Sequence, residues 1–292
     1  MLLNASGCLD ALTAPETARQ LDAFVTKTVT PLPRGGNPPV RIAETEHGML
    51  NSIGLANPGR EAFLRQTLPR LAGLGVPLWV SVGGFSAADY AETCARLGRT
   101  EVAAIELNLS CPNVDEAADT AAAIVLACRE ATGKPLFAKL SPALPDLPEV
   151  ARAVQAAGAD GLSLVNTIRG LALDERTLAP RLGTSVGGYS GPALKPIALA
   201  AVFNCYRATR MPIVGMGGVT TGRDALELIA AGAEHVALGT VLFGDPGAPT
   251  RIREELAAEA ATLGLAAPED ACAFAHENRV VEIGNPRPKV ET

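Results

Sequence analysis

The sequence predicts a single-domain α/β protein with the (β/α)8 TIM-barrel fold. Eight short apolar runs alternate with eight segments of helical period along 292 residues. Eight strand–helix units in a chain near the usual ~250 residues are typical of that barrel. The composition agrees, because 48% hydrophobic but only 4% aromatic residues suit helices packed on parallel strands. An open doubly wound sheet is the alternative, and it more often begins with a GxGxxG turn, which we do not find.

The eight predicted strands are short runs rich in β-branched and other apolar residues. Three of them follow a proline that ends the preceding turn, at Pro77, Pro135 and Pro212. The predicted strands are Leu2–Ala5, Ala23–Val29, Pro77–Val82, Ala103–Leu109, Pro135–Leu140, Gly161–Val165, Pro212–Met216 and His235–Gly239.

A helix is predicted after each strand, from Ala-, Leu- and Glu-rich segments of helical period. Two strands are preceded by Ala-Gly-Ala, at 157–159 and 231–233, and the glycine in each predicts a helix C-cap. The predicted helices are Pro15–Asp22, Glu61–Leu74, Ala87–Leu97, Ala117–Thr132, Pro148–Ala157, Ala193–Thr209, Gly222–Ala231 and Thr250–Leu263.

Two connections, 30–52 and 168–190, are too long to be simple loops. Long excursions after barrel strands usually form lids or substrate walls. The predicted organisation is therefore a barrel over 1–278 that carries these two insertions, followed by a C-terminal tail over 279–292 without apolar periodicity.

Charge and composition narrow the class of partner. A net charge of −6 argues against a nucleic acid or a membrane surface, because both repel an acidic protein. No run reaches the roughly 18 apolar residues of a membrane span, and the N-terminus lacks signal-peptide features, so we expect a cytoplasmic protein. The six cysteines form no CxxC pair and the three histidines are scattered, so no metal site is predicted.

Two glycine turns follow the last two predicted strands, at Gly217-Gly218 and Gly239-Thr240. Glycine allows backbone N–H groups to approach and cradle a phosphate, and these loops are the usual phosphate site of a barrel. The pattern predicts a phosphorylated ligand; the alternative is a pair of tight turns.

Lys139 and Lys27 end predicted strands in a chain that otherwise uses arginine for most of its positive charge. A lysine in a barrel mouth is costly unless something negative meets it. Two functional partners fit: the N1–C2=O2 edge of a reduced flavin, or a substrate carbonyl that forms a Schiff base. The structural alternatives are a salt bridge to a neighbouring carboxylate and a lysine tip that reaches solvent.

Uncharged polar groups cluster at the same predicted mouth. Asn51, Asn108, Asn166 and Thr167 offer donors and acceptors without charge, which suits a small planar ligand with alternating N–H and C=O groups. Cys111, in the loop after Asn108, is a candidate general base. Individually, each amide can also be a turn or capping residue, and the thiol a small buried hydrophobe.

Six segments of the chain resemble those of the class 1 dihydroorotate dehydrogenases, and they occur in that family's order. They are TKTVT at 26–30, GMLNSIGL at 48–55, LNLSCPNV at 107–114, FAKLSP at 137–142, GGYSGP at 187–192 and PIVGMGGV at 212–219. The resemblance implies an FMN-containing barrel over 1–278 that oxidises (S)-dihydroorotate to orotate in de novo pyrimidine biosynthesis.

Carried over position by position, the resemblance also implies the site residues. Those that line FMN are Ser6, Lys27, Thr28, Ser81, Asn108, Lys139, Val165, Gly191, Gly217, Gly218, Gly239 and Thr240. Those that bind substrate are Lys27, Asn51, Ser52, Ile53, Gly54, Leu55, Asn108, Asn166 and Thr167. Cys111 occupies the position of the catalytic base, which removes a proton from C5 while C6 gives a hydride to N5 of FMN. Lys139 stabilises the charge that grows on the reduced ring.

The subclass most resembled is 1B, on Asn57-Pro58-Gly59, Val165-Asn166-Thr167 and GGYSGP. Class 1B implies electron transfer through a partner subunit with FAD and a [2Fe–2S] cluster to NAD⁺, in a heterotetramer, whereas class 1A is a homodimer that reduces fumarate. Two departures leave the acceptor open: Ser81 stands where class 1B often has Asn, and the lead-in hairpin before the first strand is missing or minimal.

Three other functions remain alternatives. A dihydropyrimidine dehydrogenase-like flavoenzyme would act on a substrate without the carboxylate that Lys27 and the 51–55 loop are placed to bind. A Schiff-base aldolase would use Lys139 and contain no flavin. A non-catalytic barrel that binds a phosphorylated ligand would not need Cys111 or both lysines.

Overall fold

A computed structural model of the chain describes residues 1–109 and 118–277. In this part of the chain the strands form one eight-stranded parallel sheet and one four-stranded antiparallel sheet. The strands are β1 Leu2–Asn4, β2 Phe24–Val25, β3 Ile42–Thr45, β4 Gly48–Asn51, β5 Leu78–Val82, β6 Ala104–Asn108, β7 Leu136–Leu140, β8 Gly161–Leu164, β9 Ile168–Leu171, β10 Val186–Ser190, β11 Ile213–Met216 and β12 His235–Leu238.

Helices follow the parallel strands, and several begin at a side chain that caps them. Ser86 and Asp146 each accept a hydrogen bond from a backbone N–H three residues on, at 3.3 and 2.9 Å, which satisfies a donor that the helix leaves free. The helices are α1 Pro15–Arg19, α2 Arg60–Ala62, α3 Leu68–Ala72, α4 Ala87–Leu97, α5 Ala118–Ala131, α6 Leu147–Ala156, α7 Lys195–Thr209, α8 Gly222–Ala230, α9 Val241–Gly244 and α10 Ala248–Thr262, with a π-helical turn over Phe63–Thr67 and 3-10 turns over Pro192–Leu194, Pro268–Ala271 and Phe274–His276.

The eight parallel strands close into a barrel, which confirms the predicted fold. Their order is β1-β12-β11-β8-β7-β6-β5-β2, and β1 meets β2 through a parallel bridge between Leu3 and Ala23. At this seam the Asn4 side chain accepts a hydrogen bond from Val25 N and donates one to Val25 O, both over 2.8 Å. A side-chain amide therefore replaces backbone pairing where the ladder is short.

Apolar side chains fill the barrel interior beneath the carboxyl ends of the strands, a region called the lower interior below. Leu3, Val25, Trp79, Phe137 and Met216 belong to one buried cluster, and the Trp79 and Phe137 ring centroids lie 4.5 Å apart. A larger cluster lies between the strands and the helices. Because the lower interior is packed, space for a ligand remains at the carboxyl ends of the strands.

The two predicted excursions pair into the antiparallel sheet, with the order β3-β4-β10-β9. Asn51 of β4 lies opposite Gly188 of β10, and Ala43, Leu50 and Leu182 form a small core of their own. The sequence predicted a wall in these segments but not the strands that build it.

Three local features differ from or refine the sequence predictions. Of the strand predicted over Ala23–Val29, Phe24–Val25 form a strand and Ala23 and Val29 make single parallel bridges. Between them, Thr26 Oγ1 accepts the Ser81 N–H over 3.2 Å in place of a backbone carbonyl. The helix predicted over Glu61–Leu74 is interrupted by the π-helical turn just before Pro69, which lacks an N–H to donate. The two predicted C-cap glycines are confirmed, with φ of +99° at Gly158 and +115° at Gly232.

The predicted tail over 279–292 lies outside the described residues. In the described ranges, none of the helices has the length and apolarity that a membrane crossing requires.

Candidate active site

A cavity of about 1170 Å³ lies where the carboxyl ends of the barrel strands meet the four-stranded sheet. Pockets for one drug-sized ligand measure about 300–1,000 Å³. This cavity exceeds that range, as a site for a cofactor together with a small substrate would.

The cavity gathers nearly all the residues that the sequence predicted for the site. Among the described residues, each predicted cofactor or substrate residue other than Ser81 lines it. These are Ser6, Lys27, Thr28, Asn51, Ser52, Ile53, Gly54, Leu55, Asn108, Lys139, Val165, Asn166, Thr167, Gly191, Gly217, Gly218, Gly239 and Thr240.

Two predicted site residues are not on the described wall. Ser81 is fully buried, and its Oγ lies 3.0 Å from Thr28 Oγ1, so Thr28 separates it from the cavity and Ser81 holds the Thr28 hydroxyl in place. Cys111, the predicted general base, lies outside the described residues.

A chain of hydroxyl and amide groups runs across the barrel mouth. Ser6 Oγ lies 3.4 Å from Thr28 Oγ1; Asn108 donates to Thr28 Oγ1 over 3.2 Å; and Asn166 donates to Asn108 Oδ1 over 3.3 Å. The Tyr90 hydroxyl of α4 fixes the strand end by donating to Asn108 O over 2.7 Å. The arrangement presents neutral donors and acceptors in fixed orientations, as recognition of a planar polar ligand requires.

Lys139 rises from β7 into the floor of the cavity. Its ammonium lies 3.5 Å from Glu106 Oε1, and both side chains are almost completely buried. One of the structural alternatives for this lysine, an ion pair with a neighbouring carboxylate, is therefore present. Lys139 nevertheless lines the cavity, so the ion pair does not remove it from contact with a ligand.

Lys27, two residues after the end of β2, is the second lysine of the mouth. Burial lowers the pKa of its ammonium and the positive charge of Lys139 lowers it further, while the Cys8 thiol acts in the opposite direction. Burial raises the pKa of Cys8 in turn. Gly7, at φ +81°, lies directly against the lysine, since a Cβ there would come within 2.9 Å of Lys27 Nζ.

The two glycine turns lie on one side of the cavity. Gly218, at φ +79°, passes so close to α7 that a Cβ would lie 2.7 Å from Lys195 Cβ. At Gly239 a Cβ would meet no atom nearer than 3.7 Å, so the backbone is open to the cavity. Glycines at both turns allow the backbone to approach a bound phosphate closely.

The nearby N-terminus of α8 is already occupied. The N–H groups of Thr220 and Thr221 donate to Asp224 Oδ2 over 2.9 and 3.0 Å, and the Gly222 N–H donates to Glu255 Oε2 over 2.8 Å. A phosphate site in this cavity therefore rests on the two glycine turns and not on the start of this helix.

The loop over 51–55 forms the wall opposite the strand ends. Ser52 Oγ accepts a hydrogen bond from Asn37 Nδ2 over 2.8 Å and lies 2.6 Å from Thr184 Oγ1, which ties the loop to both excursions. Leu55 has a φ of +55°, a conformation uncommon for a residue with a Cβ, and Asn57 Nδ2 donates to its carbonyl over 2.8 Å. The loop is thus held in one shape by side chains outside it.

The cavity is cationic although the chain as a whole is acidic. Among its described lining residues, Lys27, Lys139 and Arg169 carry charge, and no aspartate or glutamate lies on the wall. A site with positive walls favours anionic ligands.

Sequence reasoning did not assign several polar residues of the site or its support, among them Cys8, Asn37, Glu106, Arg169 and Thr184. Glu106 gave a signal, because a carboxylate inside an apolar strand run is unusual. Asn37, Arg169 and Thr184 lie in the excursions, where no periodicity indicates which side chains face inward.

A family model, described as dihydroorotate dehydrogenase, matches residues 1–259. Among curated proteins, the chain is 48% identical over 245 residues to a dihydroorotate dehydrogenase B (NAD(+)) catalytic subunit from Desulforudis audaxviator, covering 81% of this chain and 80% of that protein. Several other relatives carry the same B catalytic-subunit name. The chain is also 45% identical over 244 residues to a putative dihydroorotate dehydrogenase A (fumarate) from Solibacter usitatus, covering 81% of this chain and 80% of that one.

Among solved structures, the fold resembles that of the Eimeria tenella dihydroorotate dehydrogenase in complex with ferulenol. The TM-score is 0.81 at 25% sequence identity, and the match covers 94% of this chain and 85% of that one.

Proposed function

The chain belongs to the dihydroorotate dehydrogenase family, with its B catalytic subunits among the relatives, and from that premise we propose that it oxidises (S)-dihydroorotate to orotate. The proposed acceptor of the hydride is a bound FMN, and the proposed pathway is de novo pyrimidine biosynthesis. The observation that carries the proposal is the composition of the cavity wall. Two lysines, a chain of amides and two glycine turns line the same cavity, and the described wall contains no carboxylate.

The donor set fits FMN. Gly217, Gly218, Gly239 and Thr240 are proposed to hold the phosphate by their backbone, because glycine lets it approach the cavity. Lys139 is proposed to face the N1–C2=O2 edge of the ring and to stabilise negative charge there. Bound at this site, FMN would supply the hydride acceptor.

The remaining donors fit dihydroorotate. Lys27 and the loop over 51–55 are proposed to bind its carboxylate, and the lysine is well suited because it lies close to the cavity without an acidic partner on the described wall. Asn108, Asn166 and Thr167 are proposed to pair with the N–H and C=O groups of the ring.

Cys111 is the proposed general base, and it removes the proton from C5 as the hydride leaves C6. The support is its place in the sequence, three residues after Asn108, within a segment that resembles the family's base-carrying loop. A thiol can act in this way once it is deprotonated or brought against the acidic C–H by substrate binding.

The test is an anaerobic titration of purified protein. We expect FMN absorbance, bleaching on addition of dihydroorotate, release of one orotate per flavin reduced, and little reaction with dihydrouracil, which lacks the carboxylate. Protein that is colourless and cannot be loaded with FMN, or a loaded flavin that stays oxidised, contradicts the proposal. Trapping of a substrate on Lys139 by borohydride supports an aldolase instead.

For the electron acceptor we propose the class 1B route, through a partner subunit with FAD and a [2Fe–2S] cluster to NAD⁺. The name of the Desulforudis audaxviator relative, a catalytic subunit, supports it. In this route the chain assembles as a homodimer within a heterotetramer. Co-expression with the candidate partner should give a complex that contains all three cofactors and reduces NAD⁺ with dihydroorotate. Activity of the isolated chain with fumarate would favour class 1A instead.

A further inference from the structure

Glu106 is a buried carboxylate for which the proposed reaction has no use. It lies on the inward face of β6, two residues before Asn108, and only 2% of it is exposed. The barrel register places Ser81 of β5 and Phe137 of β7 beside it. Glu106 therefore sits one layer below the cavity floor and does not touch a ligand directly.

The position of Lys139 makes it the charge partner of this carboxylate. Lys139 Nζ lies 3.5 Å from Glu106 Oε1, and that oxygen accepts no hydrogen bond from the described residues. A buried carboxylate is costly unless a positive charge meets it. The contact is long for a hydrogen bond, so charge and not hydrogen bonding is what Lys139 provides.

Lys139 faces in two directions, since it pairs with Glu106 below and lines the cavity above. Any negative charge that a ligand brings to the floor must share this ammonium with Glu106. Among the described residues, Lys27 and the Cys8 thiol also interact electrostatically with Lys139, and neither is an anion in its ordinary state. Glu106 is thus the anion against which a bound ligand competes.

We propose that Glu106 is a positioning residue: as the ionised counter-ion of Lys139, it holds that ammonium at the cavity floor and limits how strongly the floor stabilises negative charge on a bound flavin. The inference rests on the proposed function, because it requires FMN in the cavity. Its consequence is that Glu106 sets the electron affinity of the cofactor without contacting it.

Sulfite is the probe for this role. Its sulfur lone pair forms a bond to N5 of an oxidised flavin, and the negative charge that results is carried on the N1–C2=O2 edge, where Lys139 is proposed to lie. In FMN-loaded protein, Glu106→Gln should lower the sulfite Kd at least about tenfold, because a unit charge acts over several ångströms at an effective dielectric constant of about 20. The same tenfold change in a two-electron equilibrium is about 30 mV, so the flavin midpoint potential should rise by at least that amount.

Three variants control the experiment. Ser163→Ala removes an equally buried but uncharged side chain opposite Lys139 on β8 and should leave the sulfite Kd unchanged. Glu106→Asp keeps the charge and should remain within about threefold of the parent. In a Lys139→Met background, Glu106→Gln should have no effect, because a buried carboxylate without a partner becomes protonated.

An unchanged or raised sulfite Kd in loaded Glu106→Gln protein overturns the inference, and so does an equal effect with and without Lys139. If Glu106→Gln does not fold, the infrared spectra of the parent and of Lys139→Met are compared instead. Lys139→Met should gain the C=O stretch of a protonated carboxylic acid, and the absence of a new band overturns the inference. Protein that binds no FMN contradicts the proposed function instead, so the two failures are distinguishable.

Discussion

The side-chain amide of Asn166 donates a hydrogen bond to the side-chain oxygen of Asn108 over 3.3 Å. The two residues follow or end β8 and β6, which are separated by β7 in the barrel. Each amide thus fixes the orientation of the other, and the pair presents a defined pattern of donors and acceptors to the cavity.

Removal of either amide should weaken substrate binding. We expect Asn108→Ala and Asn166→Ala each to raise the dihydroorotate Kd about 3- to 10-fold, the usual worth of one neutral hydrogen bond. Because they share a bond, the double variant should show less than the sum of the two free-energy changes. Asn204→Ala, on the outer helix α7, should bind like the parent. Full additivity would show that the two amides act independently.

Lys27 should give substrate binding a pH dependence. Burial lowers the pKa of its ammonium, so Lys27 loses its charge at a lower pH than a free lysine does. Affinity for the dihydroorotate carboxylate should therefore fall as the pH rises through this lowered pKa. The effect of pH on folding stability has the opposite sign, because the folded state binds this proton more weakly than the unfolded state. The unfavourable contribution of Lys27 to the free energy of folding therefore decreases as the pH rises from the lowered pKa to 10.5.

The measurement is the dihydroorotate Kd of FMN-loaded protein as a function of pH. Lys27→Met should bind weakly at every pH and lose the alkaline transition, whereas Lys134→Met, outside the cavity lining, should keep it. The same transition in Lys27→Met would assign it to another group.

Gly218 should be required for FMN binding. An alanine at φ +79° is strained, and its Cβ would lie 2.7 Å from Lys195 Cβ and 2.8 Å from Lys195 N. We expect Gly218→Ala to raise the FMN Kd at least about tenfold, which corresponds to about 1.4 kcal/mol, as measured by fluorescence titration of the apoprotein. Gly133→Ala, where a Cβ would meet no atom within 4 Å, is the matched control. Equal FMN affinity of the two variants would argue against a phosphate site at this turn.

Asn4 should contribute to stability and not to chemistry. Its side chain is fully buried and bonds both backbone groups of Val25, so Asn4→Ala leaves two buried groups unpaired at a cost of about 1–3 kcal/mol each. Urea denaturation should show a loss of about 2–6 kcal/mol, with less than about 0.5 kcal/mol for Asn204→Ala. A loss as small as that of the control would mean that the seam is held by other contacts.

The barrel was predictable because its signals are local. A parallel strand that is buried on both faces reads as a short apolar run, as in Ile213–Met216, and the glycines at 158 and 232 mark helix ends. The antiparallel sheet was not predicted, since β10 is the glycine-rich VGGYS and β3 alternates without a clear apolar face. Its central pairing, between β4 and β10, joins residues about 140 positions apart, which periodicity does not reveal.

The site was predictable as a set of strand ends but not as a network. Residues at the carboxyl ends of parallel strands must share one mouth, and that rule brought Lys27, Asn108 and Lys139 together. It did not show that Thr28 covers Ser81, because which of two neighbouring strands reaches further depends on stagger in three dimensions. Nor did it pair Glu106 with Lys139, since the alternation of a strand gives a side chain its face but not its partner.

The most direct test of the account is the rate at which dihydroorotate bleaches the flavin of anaerobic, FMN-loaded protein in a single turnover. The flavin of the parent should bleach, and orotate should be released. Cys111→Ala should keep its bound flavin, but that flavin should be reduced at least on the order of 10²-fold more slowly, as expected on loss of a general base. Cys272→Ala, which changes an exposed cysteine, should match the parent. A parent flavin that dihydroorotate does not reduce would contradict the proposed function, and equal rates in the parent and Cys111→Ala would contradict the role of Cys111.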